Sequence, residues 1–473
     1  MSSEATELAA APPPSWWRIA ILALQGRRHD YTTESLDRAV LLLAVPMVLE
    51  MLAESVFAVV DTYWVSRLGS EAVAVVGLTE AVMTLIYAVA IGMSFAATAI
   101  VARYVGRAGS GRAAAQIAGQ IITAGMIAST VVGMTLCWFA ADILRLLGGE
   151  RVAELGTGFA QVMFAGNLSV FLMFLINAIF RGAGDPAIAM RALWLANGIN
   201  MLLAPCLIFG WGPFPETGVI GAALATTISR GIGVLYQLGH LCGARSAIGV
   251  GLRHLKPVAA ELRLVTVTAL SGIAQMVVST TSGIGLFSIA ALSGTAALAG
   301  CAIALRVVQF FLMPALGLAH SGATLVGQNL GAGNPERAVA AVRIAARYNM
   351  IFLGSIGVLL FVLAPWIVTL FSRELAVVDE ATLALRIVVI AFPYYAAGMC
   401  LQAAFNGAGD TWTAARLNFF CFWIVQVPLA WVLAVVLEMG ATGVYLSVPI
   451  AFGLLTGLAA LLFLRGRWKK HEL

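Results

Sequence analysis

This 473-residue sequence predicts an all-α polytopic membrane protein: twelve transmembrane helices in two pseudo-symmetric six-helix lobes. Three observations carry that fold class. The composition is 61% hydrophobic and only 11% charged, where soluble domains carry roughly 45–50% apolar and about 25% charged residues. Apolar stretches recur along the whole length, each long enough to cross a hydrocarbon layer about 30 Å thick. The sequence also matches itself at one constant offset of 225 residues.

Residues 1–35 form an N-terminal tail with Glu4, Glu7 and the Pro-rich "APPPS". That is not a basic leader with a small-residue cleavage site, so no signal peptide is expected. "WWRIAILAL" is too short to span; it predicts a helix lying in the interface, with Trp16 and Trp17 at headgroup level. The N-lobe, 36–243, holds spans near 38–66, 76–102, 113–141, 157–180, 187–211 and 218–242. Residues 244–262, "GARSAIGVGLRHLKP" and its flank, read as a Gly-rich, basic cytoplasmic linker. The C-lobe, 263–465, repeats the pattern near 264–292, 297–326, 340–371, 382–404, 414–437 and 443–464. A basic tail, 466–473, ends the chain.

The repeat is dense in matched punctuation. Gly69 meets Gly294, Gly106 meets Gly331, Arg112 meets Arg337, "FRGAGD" at 180–185 meets "FNGAGD" at 405–410, and Gly218 meets Gly443. A constant offset across six helices is the mark of a duplication. Six spans per half give both lobes one orientation, related by a pseudo-two-fold axis along the membrane normal with a cavity between or within them.

The net charge of +5 orients the chain. With both termini cytoplasmic, twenty Lys and Arg fall on the inner side, Arg181 of the fourth connection and Arg245 of the linker among them. Only Arg67, Arg145, Arg151 and Arg373 fall outside. That bias is the positive-inside pattern, and it predicts a multi-pass protein of the cell inner (plasma) membrane. No nucleic-acid partner is needed to explain it. The six cysteines lack CxxC or metal-ligand spacing and read as small packing residues.

Inside the first span, "EMLAESVFAVVD" carries Glu50, Glu54 and Asp61. At about 100° per residue these share one narrow stripe of a helix. Each costs roughly 2.5–3.5 kcal/mol at a bilayer centre, so a single stripe implies a shared polar environment, usually an ion or proton path. The repeat counterparts are Gln275, Ser279 and Leu286, so packing does not demand the charges and ion coupling is expected in the N-lobe. The blander alternative pairs the acids with Arg230 or Arg306 as static salt bridges. Asn200 could lend a carbonyl oxygen to a cation. Gln275, Gln309, Arg306, Tyr394, Tyr395 and Gln402 form a candidate polar and aromatic substrate wall, though each residue type is more often packing than contact. No GxxxxGK[ST] loop occurs, nor HExxH or GxSxG, so neither ATP-driven pumping nor an enzyme is expected.

"SGATLVGQNLGAGNPERA" (321–338), its partner "AATAIVARYVGRAGSGRAA" (96–114), "VPMVLE" to "VVDTYWVSRLG" (45–69) and the twice-used "GAGD" resemble the multidrug and toxic compound extrusion (MATE) transporters. The resemblance covers residues 36–465. It implies export of organic, often cationic compounds in exchange for protons or sodium ions, by a rocker-switch motion and as a monomer, with no cofactor. It also places Asp61 at the family's first-span acid. The fifth-span Asn-x-x-x-Asp-Pro motif of the prokaryotic DinF-like branch reads "NMLLAP" here: Asn200 is kept, but Ala204 replaces the acid. A sodium ion, if used, is expected at Asp61 and Asn200, with Glu54 or Glu50 supplying the missing charge and Arg230 as counter-ion. Rival readings are a lipid-linked or specific-metabolite exporter, another six-plus-six carrier, and a non-transport scaffold.

Overall fold

The computed structural model describes residues 16–26, 29–107, 111–243 and 248–471. Residues 1–15, Arg27, Arg28, Arg245 and the side chains of Trp16 and Trp17 lie outside the described residues. The short α1 (Trp16–Gln25) precedes the N-lobe. That lobe contains α2 (Leu36–Ser66), α3 (Ser70–Gly106), α4 (Gly111–Trp138), α5 (Ala140–Gly148), α6 (Glu150–Ala165), α7 (Asn167–Ala183), α8 (Pro186–Phe209) and α9 (Val219–Cys242). The C-lobe contains α10 (Ala259–Ala291), α11 (Thr295–Gly331), α12 (Pro335–Thr369), α13 (Leu375–Val389) and α14 (Phe392–Ala408). It closes with α15 (Thr411–Asn418) and α16 (Val427–Trp431), merged into one span through 436, and α17 (Ala441–Arg465).

The duplication is visible in the backbone. Helix α11 starts and ends 225 residues after α3, and α14 starts and ends 225 residues after α7. Gly69 and Gly294, which begin these second helices, both have positive φ, 97° and 107°. An L side chain is strained there, so the same tight reversal is encoded twice.

Two expected spans, 157–180 and 382–404, are not single helices. Each is a pair: α6 and α7 meet at Gly166, and α13 and α14 meet at Ile390–Ala391, the same repeat position. Hydropathy runs across both breaks, which is why the sequence reads them as continuous. Pro393, in the first turn of α14, has no N–H to continue the helix before it. Gly166 lies against Thr227, whose Oγ1 would be 2.3 Å from an added Cβ. The C-lobe also begins earlier than expected, because α10 starts at Ala259. The Gln120 side chain of α4 holds the linker, donating to the carbonyls of His254 (2.9 Å) and Lys256 (2.8 Å).

The lobes meet where α3 packs on α10 and α2 on α11. A Cβ at Gly92 would lie 2.4 Å from the Ile273 nitrogen, and one at Gly317 would lie 2.6 Å from the Met47 carbonyl oxygen. These are one contact made twice, since Gly317 and Gly272 are the repeat counterparts of Gly92 and Met47. Gly106 against Gln328 and Gly331 against Arg103 repeat the arrangement nearer the chain termini. Both chain ends reinforce this end of the bundle: Arg337 donates to the carbonyls of Tyr31 and Glu34, and Arg103 to that of His471.

The opposite end is open. The face of α3 that meets α10 at Gly92 continues up the helix, within about 60° at about 100° per residue, through Ala88, Leu85, Ala81, Gly77, Ala74 and Ser70. Ala88 is buried, whereas Leu85, Ala81, Gly77, Ala74 and Ser70 are all exposed. The lobes are therefore shut together at the end carrying the termini and splayed into a cleft at the other.

Candidate functional site

The acids of α2 do not share one environment. Glu50 is 1% exposed and accepts hydrogen bonds from Asn177 Nδ2 (2.9 Å) and Arg181 Nη1 (3.1 Å), both on α7. Asn177 Oδ1 in turn accepts from Gln237 of α9. Glu50 is thus tied by neighbouring helices, and its partner is neither Arg230 nor Arg306. Arg181, expected in a cytoplasmic connection, is inside α7 and buried. The sequence held a signal for this. Arg181 falls one helical turn after Asn177, and the repeat counterparts of Glu50, Asn177 and Arg181 are Gln275, Gln402 and Asn406. The second lobe carries amides wherever the first carries this acid–guanidinium set.

Glu54, one turn further along, is different. Its side chain is 27% exposed and accepts from Arg230 Nη2 at 2.9 Å, while the Arg230 side chain is 3% exposed. The guanidinium lies over the Phe57 ring, 5.4 Å from its centroid. Arg230 Nε and Nη1 are buried without a protein partner, as is Glu54 Oε2. Asp61 is half-buried and makes no hydrogen bond or ion pair among the described residues. It lies within electrostatic reach of Arg230 and of Glu80 on α3, which is exposed. One guanidinium therefore faces three carboxylates. Asn200 is buried and donates to Thr226 Oγ1 (3.1 Å), with no bond to a carboxylate.

Of the substrate-wall candidates, Gln275, Tyr395 and Gln402 border a cavity of about 80 Å³ between the lobes on the closed side, beside Arg181, Asn406 and His320. Gln275 Nε2 donates to Gln402 Oε1 (3.3 Å), Gln402 Nε2 to Asn418 Oδ1 (2.8 Å), and Asn418 Nδ2 to Ser279 Oγ (3.0 Å). That amide chain is the neutral counterpart of the Glu50 network. Tyr395 stacks on Phe452 with centroids 3.8 Å apart. Tyr394 does not border this cavity: its hydroxyl donates to the Pro449 carbonyl (2.9 Å), between α14 and α17. Gln309 and Arg306 are exposed on α11 and lie outside the cavity. His320, its Nδ1 unpartnered, meets Phe95 edge-on at 5.9 Å; these two are repeat counterparts across the seam.

A duplicated twelve-span bundle with a charged lobe interior, shut at one end and open at the other, is the architecture of a membrane transporter. The MatE family model matches residues 46–206 and again 270–432, more than half of the chain. The chain belongs to the MATE family. It is similar to the "probable multidrug resistance protein NorM" of Thermotoga maritima, 26% identical over 91% of this chain and 92% of that one. It is 24% identical to the "FAD transporter" of Shewanella oneidensis, over 91% and 95% of the two chains. A solved outward-facing structure of a multidrug resistance MATE family transporter superposes with a TM-score of 0.86 at 25% identity, covering 93% of this chain and 98% of that one.

Proposed function

We propose that this protein is a secondary active antiporter that exports organic, cationic compounds across the cell inner membrane, both termini cytoplasmic, in exchange for H+ or Na+. One observation carries the reading: half-buried Asp61 makes no hydrogen bond or ion pair among the described residues, while the nearby guanidinium of Arg230 is already engaged by Glu54. Glu54, Asp61 and Glu80 against Arg230 leave an excess of negative charge. Like charges repel, so a proton or sodium ion entering at Asp61 lowers the repulsion. That change favours a tighter packing of α2 against α3 and α9, and the packing of α2 decides how the lobes meet. Glu50, fixed by Asn177 and Arg181, serves in this scheme as a strut. Ion entry from the open end then biases the lobes towards reclosing there, and the cargo leaves into the same space.

The test is transport of a fluorescent organic cation in proteoliposomes under imposed proton or sodium gradients. Wild type accumulates the dye under one of them, and Asp61→Asn loses at least about tenfold of the gradient-driven rate, the scale expected when a charged partner is removed. Uphill movement at the wild-type rate by Asp61→Asn sinks the coupling assignment. A narrower reading, export of one specific metabolite, gains weight from the relative that carries FAD; it predicts that a panel of unrelated cations is not moved.

A further inference from the structure

The two walls of the cleft carry opposite charge. On the N-lobe side stand Glu54 and Asp61, on the side of α2 that carries Met47, within about 40° at about 100° per residue, and among the described residues Arg230 pairs with Glu54. On the C-lobe side stands Arg306. It lies eleven residues into α11, about 16 Å from the helix start at about 1.5 Å per residue, and is exposed. Among the described residues no carboxylate or carbonyl pairs with it.

Its direction follows from the helix. Gly300, Cys301, Ala304, Val307 and Val308 are buried and mark the side of α11 that faces the C-lobe core. Arg306 points the other way, within about 20° of Gly317 at about 100° per residue, and Gly317 meets Met47 of the opposite lobe. The repeat gives the same answer independently. The counterpart of Arg306 is Ala81, which lies on the exposed, cleft-facing stripe of α3. A guanidinium turned to lipid at this depth is costly, and charged residues in spans normally face a water-filled cavity.

No C-lobe acid neutralises it. Glu374 precedes α13, Asp379 is in its second turn and Glu438 follows the span that ends at Val436, and none of them makes an ion pair among the described residues. Glu380 packs on the Gly300 side of α11 and takes the Tyr445 hydroxyl at 3.2 Å.

We propose that the cleft selects dipolar substrates, molecules carrying a carboxylate that Arg306 binds and a cationic group that the acidic N-lobe wall receives. The planar guanidinium fork matches a carboxylate with two parallel hydrogen bonds, and the exposed amide of Gln309 stands three residues away. A plain cation gains the acids but meets Arg306, and a plain anion meets the acids. Only a molecule with both charges satisfies both walls. The proposal rests on the exporter reading for its direction of travel but not for the recognition itself.

The test uses a rhodamine zwitterion with a free carboxylate and its methyl ester, a cation of nearly identical shape. Affinity is read by fluorescence anisotropy on the full-length protein in nanodiscs, alongside uptake in proteoliposomes. Wild type is expected to prefer the free acid by about tenfold, the scale of one charge-assisted hydrogen-bonded contact. Arg306→Gln brings the preference close to one, and Arg306→Lys keeps part of it. A wild-type preference near one, or one that survives in Arg306→Gln, overturns the proposal, as does failure to bind either dye. Export of the ester without any preference sinks the proposal and leaves the exporter reading standing. Arg306-dependent binding with no gradient-driven movement does the reverse.

Discussion

Glu50 and Glu54 are four residues apart on one helix, yet replacing them should have different consequences. Glu50 satisfies a buried guanidinium and an amide; removing either member of a buried ion pair leaves an uncompensated charge and costs about 3–5 kcal/mol. Glu50→Gln and Arg181→Ala are each expected to lower the unfolding temperature in detergent markedly. The double variant Glu50→Gln/Arg181→Asn copies the pair Gln275 and Asn406 of the other lobe and should recover most of the loss. If it melts as low as the singles, the pair is not interchangeable with amides. Asp61→Asn removes no protein contact, so its melting temperature should stay near wild type while its gradient-driven export falls. At this scale the pairing of Glu54 with Arg230 was legible as the static salt-bridge alternative for the α2 acids, whereas helical spacing alone did not separate the environments of Glu50, Glu54 and Asp61. Arg181 was missed because "FRGAGD" reads as a loop, although α7 runs through Ala183. Tyr394 was misplaced because aromatic neighbours in a span look alike until their hydroxyls are followed to an acceptor.

Helix α3 shows how one element serves two environments. Its glycine stripe closes on α10 near Gly92, and the same stripe is left uncovered by protein from Leu85 upward. Gly92→Ala places a Cβ 2.4 Å from the Ile273 backbone nitrogen, a distance only backbone movement can relieve. This variant should loosen the closed side. A cysteine at Thr98, bordering the inter-lobe cavity, should then react several-fold faster with a maleimide added from the side of the termini, in a background without the native cysteines. Unchanged reactivity would mean the seam is soft. The helices themselves were plain in the sequence, as were the Gly69 and Gly294 reversals. The paired breaks at Gly166 and Ala391 were not, because Gly166, whose N–H still bonds the Val162 carbonyl (2.8 Å), and Pro393, which has no N–H, sit in stretches that stay apolar throughout.

For the whole molecule, basic residues gather at the closed end, beside both termini. The positive-inside bias then predicts that a protease reaches a C-terminal tag in inside-out vesicles but not in right-side-out ones, which a blot against the tag checks. The two-lobe plan was readable from the constant offset, because duplication preserves spacing even where residues change. The splay of the lobes was not, since it depends on which half of a shared stripe is covered. The seam itself has a historical consequence. Since Gly92 on Gly272 and Gly317 on Met47 are one contact made twice, a half-length ancestor could have built the same joint by pairing with its own copy. In such a homodimer every substitution appears in both subunits together. Only after the gene was duplicated could one half keep an acid and a guanidinium while the other settled for amides, and joining the two in one chain ensures that unlike halves always meet.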